Sequence, residues 1–219
     1  MDRTTFCHLI DHTLLKPEAT REELEQLCKE AVAYEFATVA IEPIYIPYAA
    51  KLLKGSKTGI TSAIAYPHGA WSIEAKCHEI GLCLDMGASD CDYVLDLGSV
   101  KEGNWKQIKK EAHACRKAAG SAILKIILEV ALLTDAEIRT ASLISAEEGA
   151  DFIKTATGYL PSPTIEQLAI MIETVKGTQT KVKAAGGFST MKRVQQALDL
   201  GVQRIGTSSA FKLLQEMES

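Results

Sequence analysis

Long basic runs are missing from this chain of 219 residues, whose net charge at neutral pH is -4. The electrostatic footprint of a nucleic-acid binder is therefore absent, and only a local basic pocket for a small anion stays open. No apolar run approaches the length of a transmembrane helix, and Met1-Asp2-Arg3-Thr4-Thr5 holds no apolar stretch of signal-peptide length. The expectation is a cytoplasmic protein with neither a nucleic-acid nor a membrane partner. A Cys-x-x-Cys pair is also lacking. Cys7, Cys28, Cys77, Cys83, Cys91 and Cys115 are scattered, and His8, His12, His68, His78 and His113 show no ligand spacing with them. Free, mostly buried thiols and no structural metal are expected. Neither a linker nor a low-complexity tract nor a charge block divides the chain, and its length suits an α/β barrel built as one domain over residues 1–219.

What is present is a repeated pattern. Short runs rich in Val, Ile and Ala recur near residues 8–12, 37–42, 59–65, 91–97, 122–129, 150–155, 181–185 and 202–206. Each is followed by a helical pattern, as in repeated βα units. Thr20 with Glu23 reads as a capping box before Leu24, Leu27, Cys28, Ala31 and Val32, an apolar stripe at helical spacing. Thr134 with Glu137 and Thr164 with Gln167 repeat the device. Alternating strands and helices require parallel pairing with right-handed crossovers, and eight such units close into a (β/α)8 TIM barrel. A doubly wound open sheet is the competing fold. It would be expected to carry a Gly-rich turn directly after the first strand, which Asp11-His12-Thr13-Leu14-Leu15 does not supply.

Three lysines interrupt the apolar strand runs: Lys125, Lys154 and Lys183, spaced 29 residues apart. One βα unit separates each from the next, so successive strands would present an ammonium at about the same height inside the barrel, where charge is costly unless paired or used. A single such lysine would ordinarily face solvent at a strand end or pair with a carboxylate. Three in register favour chemistry, because neighbouring ammonium groups depress one another's pKa and a neutral amine is what a Schiff-base nucleophile requires. Strand alternation puts Asp92 and Asp96 on one face, where a carboxylate could pair with the lysines and relay protons through water. Asp96 and Glu129 could equally do no more than neutralise a lysine.

The last two strand runs end in Gly186-Gly187 and in Gly206-Thr207-Ser208-Ser209. Barrels commonly bind phosphate there with loop amides and a helix N-terminus. Either motif alone is a common turn or cap; both at the carboxyl ends of adjacent strands carry more weight.

Taken together these residues resemble the DeoC-type 2-deoxyribose-5-phosphate aldolases. The likeness rests on Ile10-Asp11-His12-Thr13-Leu14-Leu15-Lys16-Pro17, Tyr66-Pro67-His68-Gly69, residues 124–129, 150–158 and 182–187, and Arg204-Ile205-Gly206-Thr207-Ser208-Ser209. The resemblance implies a metal- and cofactor-independent aldolase in which Lys154 forms the imine with acetaldehyde. In that scheme Lys183 lowers the pKa of Lys154, and Asp92 works with a water in proton transfer. Thr157, Gly158, Gly186, Gly187, Gly206, Ser208 and Ser209 would bind the sugar phosphate. Choosing Lys154 over Lys183 as nucleophile comes from the resemblance alone. A homodimer acting on a sugar phosphate and small aldehydes is also implied.

Some positions depart from the family pattern. Asp96 and Glu42 stand where many relatives have asparagine, Ser189 where arginine is usual, and Tyr159 where some have lysine. Gln215-Glu216-Met217-Glu218-Ser219 lacks the terminal tyrosine of some members. Ser189 and Tyr159 remove candidate cations from the phosphate side, and Glu42, Asp96 and Ser189 motivate the alternative of a different short acceptor aldehyde, with or without phosphate. A metal-dependent aldolase or isomerase, or a barrel that only binds a phosphorylated metabolite, fits less well. The first lacks clustered ligands, and the second needs no depressed amine.

Overall fold

A computed structural model describes residues 2–217; Met1, Glu218 and Ser219, which belong to the terminal stretches read above, lie outside the described residues. Eight parallel strands form a closed barrel in chain order: β1 Ile10–Leu14, β2 Thr38–Ile41, β3 Gly59–Ile64, β4 Asp90–Val94, β5 Ile123–Ile127, β6 Phe152–Lys154, β7 Lys181–Ala185 and β8 Arg204–Thr207. A short helix, α1 (Arg3–Cys7), precedes the barrel. Helices α2 (Arg21–Ala33), α3 (Ile46–Leu52), α4 (Ile73–Asp85), α5 (Leu97–Lys101), α6 (Trp105–Ala119), α7 (Asp135–Glu147), α8 (Ile165–Val175), α9 (Met191–Leu200) and α10 (Ala210–Met217) follow in turn.

The three capping boxes form as expected. Thr20, Thr134 and Thr164 each accept from the backbone N–H three residues on, while Glu23, Glu137 and Gln167 reach back to the cap residue's own N–H. Each box satisfies two backbone donors that a helix start otherwise leaves unpaired.

Strand ends differ from the sequence expectation where a polar residue takes over the backbone. The fourth run stops at Val94, because Asp96 becomes the N-cap of α5 and accepts from Ser99 N at 3.2 Å and Ser99 Oγ at 2.6 Å. Asp96 is therefore no lysine partner. The fifth run stops at Ile127, and Glu129 turns into the left-handed region at φ 53°. Its Oε2 accepts from Thr157 N at 3.0 Å and Thr157 Oγ1 at 2.5 Å, so it too serves a loop and not a lysine. The first strand begins two residues later than read, because the segment before it winds into α1 with Asp2 as its cap.

Residues paired in a parallel register share a face. The outward face is mostly apolar: Ile10, Val39, Ile41, Ile60, Tyr93, Leu124, Ile126, Ile153, Val182 and Ile205 are all buried beneath the helices. The inward face follows the chain of partners Thr38–Asp11–Gly206–Ala185 and Ala63–Asp92–Lys125–Phe152. Barrel interiors are ordinarily layered with branched aliphatics. Here the centre is a network of paired charges.

Candidate active site

Lys154 and Lys183 are direct register partners on β6 and β7, whereas Lys125 on β5 pairs with Phe152, two residues below Lys154. The common height expected of the three lysines therefore holds for two of them. All three nevertheless converge on Asp92: Lys125 Nζ lies 3.0 Å from Oδ1, and Lys154 and Lys183 lie 2.9 and 2.7 Å from Oδ2. Lys183 is shared with Asp11 at 2.5 Å. Asp11 also accepts from Thr38 Oγ1 and Arg204 Nη1, both at 2.8 Å. Lys125 pairs with Asp90 at 2.7 Å and donates to Thr61 Oγ1 at 3.1 Å.

The sequence reading missed Asp11, Asp90 and Arg204 as members of this network. The signal that exposed the lysines, an ionisable residue on an inward strand position, was available for each of them. Gly206 makes the crowding possible, since a Cβ there would sit 3.0 Å from Lys183 Cε.

The protonation pattern follows from these contacts. Burial would push the Asp92 carboxyl up, but Lys125, Lys154 and Lys183 outweigh it and hold the group well below the usual carboxylate range. Asp11 is held low in the same way against burial, by Lys183, Lys125 and Arg204. Lys125 goes up, because Asp92, Asp11 and Asp90 overcome its burial. Lys154 is lowered, to about 8. Burial is the main cause, Asp92 opposes it, and the Lys183 ammonium adds to it.

Lys154 is also the lysine of the three that reaches open space. It lines a cavity of about 460 Å³ together with Thr157, Gly158, Gly186, Gly187, Gly206, Ser208 and Ser209. Lys125 and Lys183 are fully buried. Every residue expected to bind substrate lines this cavity, while Asp92 and Lys183 sit beneath its floor. Gly186 and Gly187 have φ of 85° and 80°, and a Cβ on Gly187 would fall 2.1 Å from Ser162 Oγ, so the turn admits no side chain. Behind it Arg193 stacks 4.9 Å from the Phe188 ring and donates to the Pro163 carbonyl, fixing the β7–α9 loop.

A second wall is aromatic. The Tyr66 ring lies 5.9 Å from Lys154 Nζ and packs edge-on against Tyr159 at 5.7 Å. The Tyr66 hydroxyl donates to the Thr157 carbonyl, and that of Tyr159 donates to the Leu15 carbonyl at 2.8 Å. Glu42 stands half-buried outside the lining, its carboxyl pushed up to about 7 by burial and by Glu79. At neutral pH it therefore adds less than a full negative charge.

A buried lysine with a lowered pKa, opening on a cavity with glycine and serine loops, is the chemistry of an enzyme that forms imines with carbonyl compounds. Among the described residues, no group of three or more His, Cys, Asp or Glu side chains is placed to hold a metal ion. Residues 5–214 match the DeoC/LacD family of aldolases. The chain is 38% identical over 215 residues to the deoxyribose-phosphate aldolase of Staphylococcus carnosus, covering 98% of this chain and 97% of that one. It is 40% identical over 206 residues to that of Brevibacillus brevis, covering 94% and 93%. The tetrameric deoxyribose phosphate aldolase of Aeropyrum pernix superposes with a TM-score of 0.89 at 29% identity, over 100% of this chain and 93% of the other. The chain belongs to the DeoC/LacD aldolase family and is a carbon–carbon lyase.

Proposed function

We propose that this aldolase reversibly cleaves 2-deoxy-D-ribose 5-phosphate to acetaldehyde and D-glyceraldehyde 3-phosphate, with Lys154 as the imine-forming amine. The observation that carries the assignment is that Lys154, lowered to about 8, is the one of the three barrel lysines that lines the cavity. Its neutral Nζ attacks the C1 aldehyde of the open-chain sugar, and loss of water leaves a protonated imine. The bond that breaks is C2–C3, since acetaldehyde carries away C1 and C2. Its electron pair flows toward the iminium nitrogen as the C3 hydroxyl loses its proton and becomes the aldehyde of the second product. The enamine then takes a proton at C2, and water releases acetaldehyde.

Asp92 lies 2.9 Å from Lys154 Nζ and is held ionised by its lysines. A carboxylate so stabilised is a weak base, so its work is to orient a water and pass a proton through it. Lys183, fixed between Asp11 and Asp92, keeps that carboxylate in place. The amides of Gly186, Gly187, Ser208 and Ser209 anchor the phosphate, and that remote binding positions the bond to be cleaved.

An imine aldolase for a different short aldehyde is favoured by one feature, the aromatic pair Tyr66–Tyr159 in the cavity wall. A substrate panel scored by retro-aldol product, run in EDTA, separates the two. Faster turnover of 2-deoxyribose 5-phosphate than of 2-deoxyribose supports the main reading, and the reverse order supports the second. We also propose a homodimer in the cytoplasm. Several large apolar side chains are exposed, Ile44 and Trp71 among them, and all six cysteines are free, which suits a reducing compartment.

A further inference from the structure

The acceptor end of the cavity poses a charge problem. A phosphate dianion held only by amides and hydroxyls binds without a counter-charge, and positions 159 and 189, both in the lining, carry tyrosine and serine. Among the described residues that line the cavity, only two side chains are cationic, Lys154 and Lys16. Lys154 is committed to the imine.

Lys16 stands in the β1–α2 loop, and three contacts fix its backbone and its resting partner. The preceding carbonyl, of Leu15, accepts from the Tyr159 hydroxyl at 2.8 Å, tying this loop to the one after β6. The Lys16 carbonyl accepts from Ala19 N at 3.1 Å, closing a turn. Its ammonium rests on Glu23 Oε1, with the side chain 41% exposed. Glu23 cannot follow the ammonium, because its other oxygen accepts from Thr20 N at 2.9 Å in the capping box of α2. An exposed ion pair of this kind is weak and exchanges readily. The long, flexible stem lets the ammonium leave Glu23 when a dianion arrives, while the capped carboxylate stays behind.

We propose that Lys16 is the cation that selects the phosphorylated acceptor, parked on Glu23 in the empty enzyme and turned onto the phosphate in the complex. The assignment rests on the reading of the reaction given above and adds to it a specificity-determining residue.

The test compares kcat/KM for 2-deoxyribose 5-phosphate and for 2-deoxyribose in the parent, Lys16→Gln and Lys16→Arg. The preference for the phosphorylated sugar is expected to fall tenfold or more in Lys16→Gln, through KM, and to be largely restored in Lys16→Arg. Competitive inhibition by inorganic phosphate is expected to weaken in parallel. A Lys16→Gln enzyme that keeps the parent's preference, or loses both activities by the same factor, overturns the role of Lys16 and leaves the reaction assignment standing. A parent enzyme with no preference for the phosphorylated sugar overturns the reaction assignment and this inference with it.

Discussion

Lys154 owes its state to its neighbours' geometry more than to their number. Among the described residues, Lys183 touches two carboxylates and Lys125 touches three within 3.6 Å, whereas Lys154 has only Asp92, which it shares with both. The group with least compensation for burial is the one that gives up its proton. With a value of about 8, the neutral fraction is roughly a tenth at pH 7, and imine formation accelerates as pH rises through 8. Lys183→Leu removes a repelling ammonium and frees Asp92 to attract Lys154, so both effects raise the nucleophile's pKa. Each unit of rise divides the neutral fraction at pH 7 by about ten. The variant's pH–rate profile should therefore shift to higher pH, with activity partly regained in alkaline buffer. A profile identical to the parent's would contradict this coupling. Stability should fall too, by about 3–5 kcal/mol, because Asp11 and Asp92 lose a buried partner.

Elements were legible in the sequence to the extent that they rest on local patterns. The capping boxes at Thr20, Thr134 and Thr164 start helices where they were expected to. Thr134→Ala removes one box and should cost about 1 kcal/mol, a fall in Tm of about 2–4 °C that calorimetry can read. No change in Tm would mean the α7 cap is idle. Strand ends were less legible, because side chains decide them. Asp96 was placed on a strand face by alternation, yet its carboxylate is better satisfied by Ser99 as a helix cap. Glu129 likewise left its strand to bond Thr157. The roles of Asp11, Asp90 and Arg204 were hidden for another reason. Each lies in the first two residues of its strand, where period alone does not separate a charged network member from a polar strand end.

For the whole molecule, closing eight strands turns three lysines spread over 59 positions into a single cluster around Asp92. A helix-covered apolar outer face supplies the core, which leaves the barrel interior free to hold charge. The glycine and serine loops on β7 and β8 fall at the same end as Lys154, so the proposed cleavage chemistry and phosphate anchoring share one cavity. The central claim is that this architecture makes one lysine a neutral nucleophile. It is tested most directly by incubating the enzyme with acetaldehyde and sodium borohydride and mapping the modified peptide by mass spectrometry. Hydride reduces the imine to a stable N-ethyl-lysine, and the account predicts that group on Lys154 alone. An adduct on Lys183 or Lys125, or none at all in an enzyme that turns over substrate, would contradict it.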